Sequence, residues 1–276
     1  MDFIMRTNST FLKKTNIAIS LILCAFQSIS YAAECSAKSG INTVPLLELY
    51  TSEGCSSCPP ADKWLSAQQN DATKFIPLAF HVDYWDTLGG KYGGWKDEFS
   101  KAEYSERQRR IASFNKTGFV YTPQFVMNGR DFKGWDNARL KEQVQSSQKI
   151  ASRANLSLNS SATANGEILL KVTAEAVKPS DAKNVDIFVA IYENKLSSIV
   201  KAGENNGREL KHDYVVRDLF GAYQLSNVNT FNKDFTLKSL AINTGKQFEN
   251  MGAVVFVQSS QTGEILQSLA LKFGCN

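Results

Sequence analysis

Cys55-Ser56-Ser57-Cys58 is the segment of this chain best equipped for chemistry. Two intervening residues let the thiols meet within one turn of chain, so the pair can close a disulfide and reopen it. Val44–Tyr50 (VPLLELY) is a short apolar run suited to a buried strand, and Thr51-Ser52-Glu53-Gly54 reads as a turn. Pro59 and Pro60 follow, and proline is accommodated in a helix's first turn, where its missing N–H costs nothing. The cysteines therefore stand between a strand and a helix start, where free N–H groups and partial positive charge favour thiolate over thiol. Thiolate is the nucleophile of disulfide exchange. Cys55 reads as the more exposed, attacking residue and Cys58 as the resolving one. Two neighbours oppose this. Pro59 disfavours helical angles at Cys58 and would delay the helix start, and Glu53 would oppose a thiolate if its carboxylate turned inward.

A Cys-x-x-Cys pair also serves as half a zinc site or as a static bridge. Zinc takes four ligands, usually with a second Cys or His pair at short spacing. His81 and His212 are the only histidines and stand far apart in sequence, so no metal site is read and no cofactor is expected. Soft thiolates also grip Cu(I). Copper handling is thus an alternative, weakened because only Met127 and Met251 lie beyond the first few residues. The other alternative is a secreted binding module braced by a fixed Cys55–Cys58 disulfide.

The compartment favours pairing. Arg6, Lys13 and Lys14, the apolar run Ile17–Phe26 and the small residues of Ser30-Tyr31-Ala32 have the layout of a secretory signal peptide over residues 1–33. The apolar run is about half the ~20 residues a spanning helix needs, so no stable membrane insertion is expected after cleavage. The mature chain would begin near Glu34, in the periplasm or outside the cell. Cys24 leaves with the leader, and Cys35, Cys55, Cys58 and Cys275 remain. An even count in an oxidising compartment suggests disulfides. Of the three possible pairings, the close pair Cys55/Cys58 leaves Cys35 and Cys275, one near each mature end. The leader carries Arg6, Lys13 and Lys14 against Asp2, so its loss takes the net charge from +4 to +2. Arg107, Arg109 and Arg110 alternate with Glu103 and Glu106 and read as a solvated helix face, so no nucleic-acid partner is expected.

The chain has 276 residues, 43% hydrophobic and 21% charged, ordinary for globular protein. Up to residue 154 it alternates strand and helix: strand Phe75–Val82, a helical stretch within Trp95–Phe114, strand Gln124–Met127 turning at Asn128-Gly129, and helix Asn137–Arg153. From residue 155 it reads as short strands: Ile168–Thr173, Val185–Tyr192, Val228–Leu237, Ala253–Gln258 and Ile265–Phe273. Turns such as Asn165-Gly166 and Thr262-Gly263 separate them. Strands without intervening helices argue a β-sandwich.

Tyr121-Thr122-Pro123-Gln124-Phe125-Val126-Met127-Asn128-Gly129 resembles the cis-proline strand of the thioredoxin superfamily. There the proline packs beside the Cys pair and the preceding backbone pairs with bound peptide. The resemblance implies roles for Thr122 and Pro123 in a substrate groove. The run Glu48 to Asp62 (ELYTSEGCSSCPPAD), His81–Asp86 (HVDYWD), Gly203–Arg208 (GENNGR) and Val215–Arg217 is similar to a secreted bacterial thioredoxin-like family catalogued as a domain of unknown function. That likeness covers nearly the whole mature chain. It implies an α/β architecture: a thioredoxin-like domain over 34–154, followed by an all-β sandwich-like extension over 155–276. It implies catalytic Cys55, Cys58 and Pro123 and supplies no established activity. The chain departs from ordinary thioredoxin at Gly54, where Trp is usual, and at Ser56-Ser57, where Gly-Pro is usual. His81, Asp83 and Trp85 end the second strand, where α/β folds place ligand-contacting loops, and would line a groove beside Cys55. The competing reading of His81 is an interior histidine bonded to backbone. The 203–217 loop reads as plain surface, or as leaning on the redox domain, or as an anion site. The expected activity is thiol–disulfide exchange, with protein thiols or disulfides and an unidentified redox partner.

Overall fold

The computed structural model describes Met1 and residues 34–68, 74–88, 94–135, 139–163, 166–226, 229–238 and 248–275; the expected signal peptide lies outside the described residues. In chain order, β1 (Glu34–Lys38) and β2 (Leu46–Thr51) lead to α1 (Pro59–Ser66), β3 (Ile76–His81), α2 (Ala102–Phe114), β4 (Gln124–Met127), β5 (Arg130–Asp131) and α3 (Arg139–Ser147). Strands then take over: β6 (Ala154–Ala162), β7 (Ile168–Ala176), β8 (Val185–Glu193), β9 (Leu196–Ile199), β10 (Glu209–His212), β11 (Val215–Tyr223), β12 (Thr230–Leu237), β13 (Met251–Ser259) and β14 (Ile265–Lys272).

β2 and β3 are near-continuous apolar runs, buried along their whole length, and pair in parallel from Leu46↔Ile76 to Thr51↔His81. β4 runs antiparallel on the other edge of β2, with Tyr50 opposite Gln124. The outer edge of β3 is taken by β11, through a parallel contact of Val215 with Ala79. The result is one eight-stranded sheet in the order β14-β13-β8-β11-β3-β2-β4-β5, beside a four-stranded sheet β1-β6-β7-β12 and the two-stranded ribbon β9-β10.

This corrects the α/β expectation. Among the described residues the protein is mainly β, with three α-helices. The segment 34–154 closes no thioredoxin-like domain of its own, and 155–276 is no separate sandwich-like extension. The reason is visible in β8 and β13. Alternate residues of each strand face opposite cores. Ile187, Val189 and Val255 pack against Leu158, Leu170 and Val172 of the four-stranded sheet. Phe188, Tyr192 and Phe256 face the other way, into the core that holds Leu46, Phe80 and Tyr104. Strands apolar on both faces must be covered on both, and here one cover is a sheet and the other includes α2.

Arg107 of α2 ties these parts together. Its guanidinium pairs with the Glu48 carboxylate of β2 at 2.7 and 3.0 Å and donates to Gln258 Oε1 of β13 at 3.2 Å. The solvated-face reading is therefore wrong at this position: Arg107 is buried, while Arg109 and Arg110 are exposed.

β1 pairs with β6 and brings Cys35 to Cys275, which form a disulfide across a sequence separation of 240. In the chain-entropy model a bridge closing so long a loop belongs at the upper end of the usual range. The Cys35→Ser/Cys275→Ser double variant should therefore lose about 2–4 kcal/mol. Urea unfolding of the oxidised protein checks this, and an unchanged midpoint would refute it.

Candidate functional site

The site is built on the turn that joins β2 to α1. Cys55 N–H donates to Ser52 O and Cys58 N–H to Cys55 O, both at 3.2 Å, so two successive tight turns fold the pair onto itself. Cys55 and Cys58 are bonded as a disulfide. Cys58 sits at the N-cap of α1 with φ −76° and ψ −39°, already helical, and its carbonyl accepts from the N–H groups of Ala61 and Asp62. The helix thus starts without the delay expected from Pro59.

Gly54 makes a close approach: a Cβ there would stand 3.3 Å from Trp85 Cβ. The Trp85 indole donates to Thr122 Oγ1 at 2.6 Å. Thr122–Pro123 is a cis peptide, and the Tyr50↔Gln124 pairing sets it at the same end of the sheet as the cysteine turn. Trp85, Thr122 and Pro123 are all partly exposed. A shallow cleft of about 370 Å³ lies beside Pro123, walled by Phe119, Tyr121, Phe125 and Trp135.

Not every expected groove residue joins them. Asp83 turns to α2, where its carboxylate accepts from Ser105 Oγ. His81 is fully buried behind the cysteine turn, and its Nδ1 meets Asp97 Oδ2 at 2.7 Å rather than a backbone group. Asp97 also accepts from the N–H groups of Glu53 and Phe99 at 2.9 Å. Burial works to raise the Asp97 carboxyl, yet the His81 ring and these donors hold it below the usual range. Glu53 turns inward, where its carboxylate meets donors. It accepts from the Trp95 indole at 2.7 Å and from Ser198 Oγ, and its Oε1 lies 3.3 Å from His212 Nε2. Although burial opposes a charge on His212, the carboxylates of Asp62 and Glu53 push its pKa up to about 10.

The exposure expected of Cys55 is corrected. Both cysteines are 0% exposed, although Ser56 and Ser57 between them are on the surface. The loop at Gly203–Gly207 is bonded to the backbone of the cysteine turn. Asn205 Nδ2 donates to the carbonyls of Glu53 and Cys55 at 2.8 and 2.9 Å, and Arg208 holds Asn205 Oδ1 at 2.7 Å. Ser56 N–H donates to the Glu204 carboxylate at 2.9 Å. The side chain and backbone of Ser56 lower the Glu204 pKa. Of the three readings of this loop, leaning on the part of the chain that carries the cysteines is the one seen, at the turn itself. Asn205 stood in the sequence only as a member of the Gly203–Arg208 motif, and Asp97 carried no signal, because the groups they hold at the turn lie elsewhere along the chain. Met127 and Met251 lie in the two separate hydrophobic cores, which removes thioether support for copper handling.

The fold and site together define a mainly β protein with a covered Cys-x-x-Cys disulfide at a strand-to-helix turn. The chain belongs to the family described as protein of unknown function (DUF1223), whose model matches residues 46–258. Its fold is similar to a crystal structure of a protein from Agrobacterium tumefaciens, 23% identical with a TM-score of 0.56, covering 84% of this chain and 96% of that one. It is also similar to HBP35 of Porphyromonas gingivalis, 14% identical with a TM-score of 0.58, covering 85% and 76%. No curated protein matches the sequence.

Proposed function

We propose that this is an exported thiol–disulfide exchange protein that acts on protein thiols through Cys55–Cys58. The observation that carries the reading is the placement of the pair at the N-terminus of α1, linked through Gly54 and Trp85 to Thr122 and Pro123 beside an aromatic-walled cleft. A substrate thiolate attacks Cys55 Sγ, and the electron pair of the broken S–S bond leaves on Cys58. A second substrate thiol then displaces Cys55, so the substrate is oxidised by two electrons and the pair is reduced to two thiols. The reverse sequence reduces a substrate disulfide. Export is supported by the leader and the second disulfide. Among the described residues no helix is long and apolar enough to cross a membrane.

A second reading, a binding module with Cys55–Cys58 as a fixed brace, draws on the complete burial of both cysteines under Asn205. The reduction potential separates the two. Exchange-active pairs fall roughly between −270 and −120 mV and structural ones below about −300 mV. The exchange reading expects the first range, and it expects Cys58→Ser to accumulate a mixed disulfide on Cys55 with a thiol-bearing substrate. A potential below about −300 mV with no trapped adduct gives the protein to the brace reading.

A further inference from the structure

We propose that Asp62, His81 and His212 form a site for one divalent metal ion of zinc chemistry. Sequence spacing argues against such a site. The fold overrides spacing by bringing α1, β3 and β10 together, so that one ligand atom from each residue lies within 4.8 Å of the others. All three residues are buried, at 6%, 0% and 3% exposure.

The independent observation is a pair of orphaned ring nitrogens. His81 Nε2 and His212 Nδ1 are buried with no hydrogen-bond partner. The other nitrogen of each ring faces a carboxylate, Asp97 for His81 at 2.7 Å and Glu53 for His212 at 3.3 Å. A metal takes the rings in their neutral form and displaces any proton held there, and the carboxylate on the other nitrogen then fixes the tautomer that aims the lone pair inward. Asp62 Oδ2 accepts from Thr51 Oγ1 at 2.9 Å, while Oδ1 faces His212 Nδ1 at 3.8 Å. This separation is too long for a hydrogen bond. The described ion pairs of Glu53, Asp62 and Asp97 are with these two histidines alone. Three carboxylates around two imidazoles leave negative charge that a divalent cation balances.

Two imidazoles and one carboxylate are a zinc donor set with a position left open. Zinc–nitrogen bonds of about 2.0–2.1 Å put neighbouring ligands roughly 3.4 Å apart in a tetrahedron, so the three side chains close inward by about 1 Å on binding. A cleft of about 420 Å³, lined by Pro59, Lys63 and Leu210, reaches two of the three ligands, Asp62 and His212, from solvent.

The test uses metal-stripped, fully oxidised protein, so that no cysteine thiolate can ligate. Calorimetric titration with Zn²⁺ should give one equivalent per chain. Co²⁺ in its place should give d–d absorption of nitrogen and oxygen ligation without thiolate charge-transfer bands. His81→Ala and His212→Ala should each weaken binding by about 100-fold or more. Asp97→Asn, a positioning change, should weaken it about 10–100-fold while bound Co²⁺ keeps its nitrogen and oxygen d–d spectrum. Absence of saturable uptake by the wild-type protein overturns the proposal, and so does one-equivalent binding that His212→Ala leaves unchanged. Should the alanine variants fail to fold, the wild-type titration and cobalt spectrum decide alone.

Discussion

Arg107→Leu should cost the folded state about 3–5 kcal/mol, the loss expected when one partner of a buried ion pair is removed. The substitution strands the Glu48 carboxylate, which is 0% exposed and whose other described partner is the Tyr50 hydroxyl at 2.9 Å. Burial first, and the Glu48 charge second, already raise the Tyr50 pKa well above its ordinary value, so the phenol stays a donor and cannot replace a cation. Leucine also forfeits the stacking of the guanidinium on Phe188 and Phe256, whose ring centroids lie 5.0 and 4.8 Å away. Most of the cost comes from the unpaired charge. The double variant Glu48→Leu/Arg107→Leu should therefore recover more than half of the loss. Because the pair joins β2, α2 and β13, one unfolding transition should be seen by tryptophan fluorescence and by far-ultraviolet circular dichroism. A loss below about 1 kcal/mol, the size of an exposed pair, or two separated transitions would sink the argument.

Individual elements were legible in the sequence wherever the signal was local. The VPLLELY run, the Asn128-Gly129 turn and the alternation in Ile168–Thr173 each lie on an observed strand or turn. The assembly was less legible. Val185–Tyr192 already carried the mark of a strand covered on both faces, since it has apolar residues at both alternating sets of positions, and β8 is buried throughout. Such a strand belongs in the middle of a sheet with a cover on each side. Nothing local, however, indicates that Val215 meets Ala79, or that Arg107 reaches Glu48 across 59 positions. The histidines show the same limit. His81 and His212 are 131 positions apart by their numbers, and only the packing of β10 beside α1 turns two isolated residues into rings 4.9 Å apart. The exposure assigned to Cys55 failed for a related reason. The turn itself is a surface feature, with Ser56 and Ser57 outside, and its cover comes from a loop about 150 residues downstream.

That cover sets the second large effect. Asn205→Ala should speed reduction of Cys55–Cys58 by excess dithiothreitol about tenfold to a hundredfold. Both cysteines are 0% exposed, and the Gly203–Gly207 loop is bonded to the backbone of their turn, so the expectation is that a reductant reaches sulfur when this loop lifts. Asn205 contributes two hydrogen bonds to that closure, to the carbonyls of Glu53 and Cys55. A neutral bond is worth about 0.5–1.5 kcal/mol net, so losing both favours opening by about 1–3 kcal/mol, and each 1.4 kcal/mol is tenfold. Where the loop opens and recloses faster than the dithiol attacks, the reduction rate follows the open population. Glu204→Ala should act in the same direction but more weakly. Its bond to Ser56 N–H is exposed, and water replaces the carboxylate there. The unfolding midpoint of oxidised Asn205→Ala serves as the control, because a global loss of stability would also accelerate reduction. Equal rates for wild type and Asn205→Ala would mean that sulfur is reached without displacing the loop. A faster rate together with a potential below about −300 mV would mean that the loop guards a brace. A faster rate with a potential inside the exchange range would make Asn205 the latch on a working thiol pair.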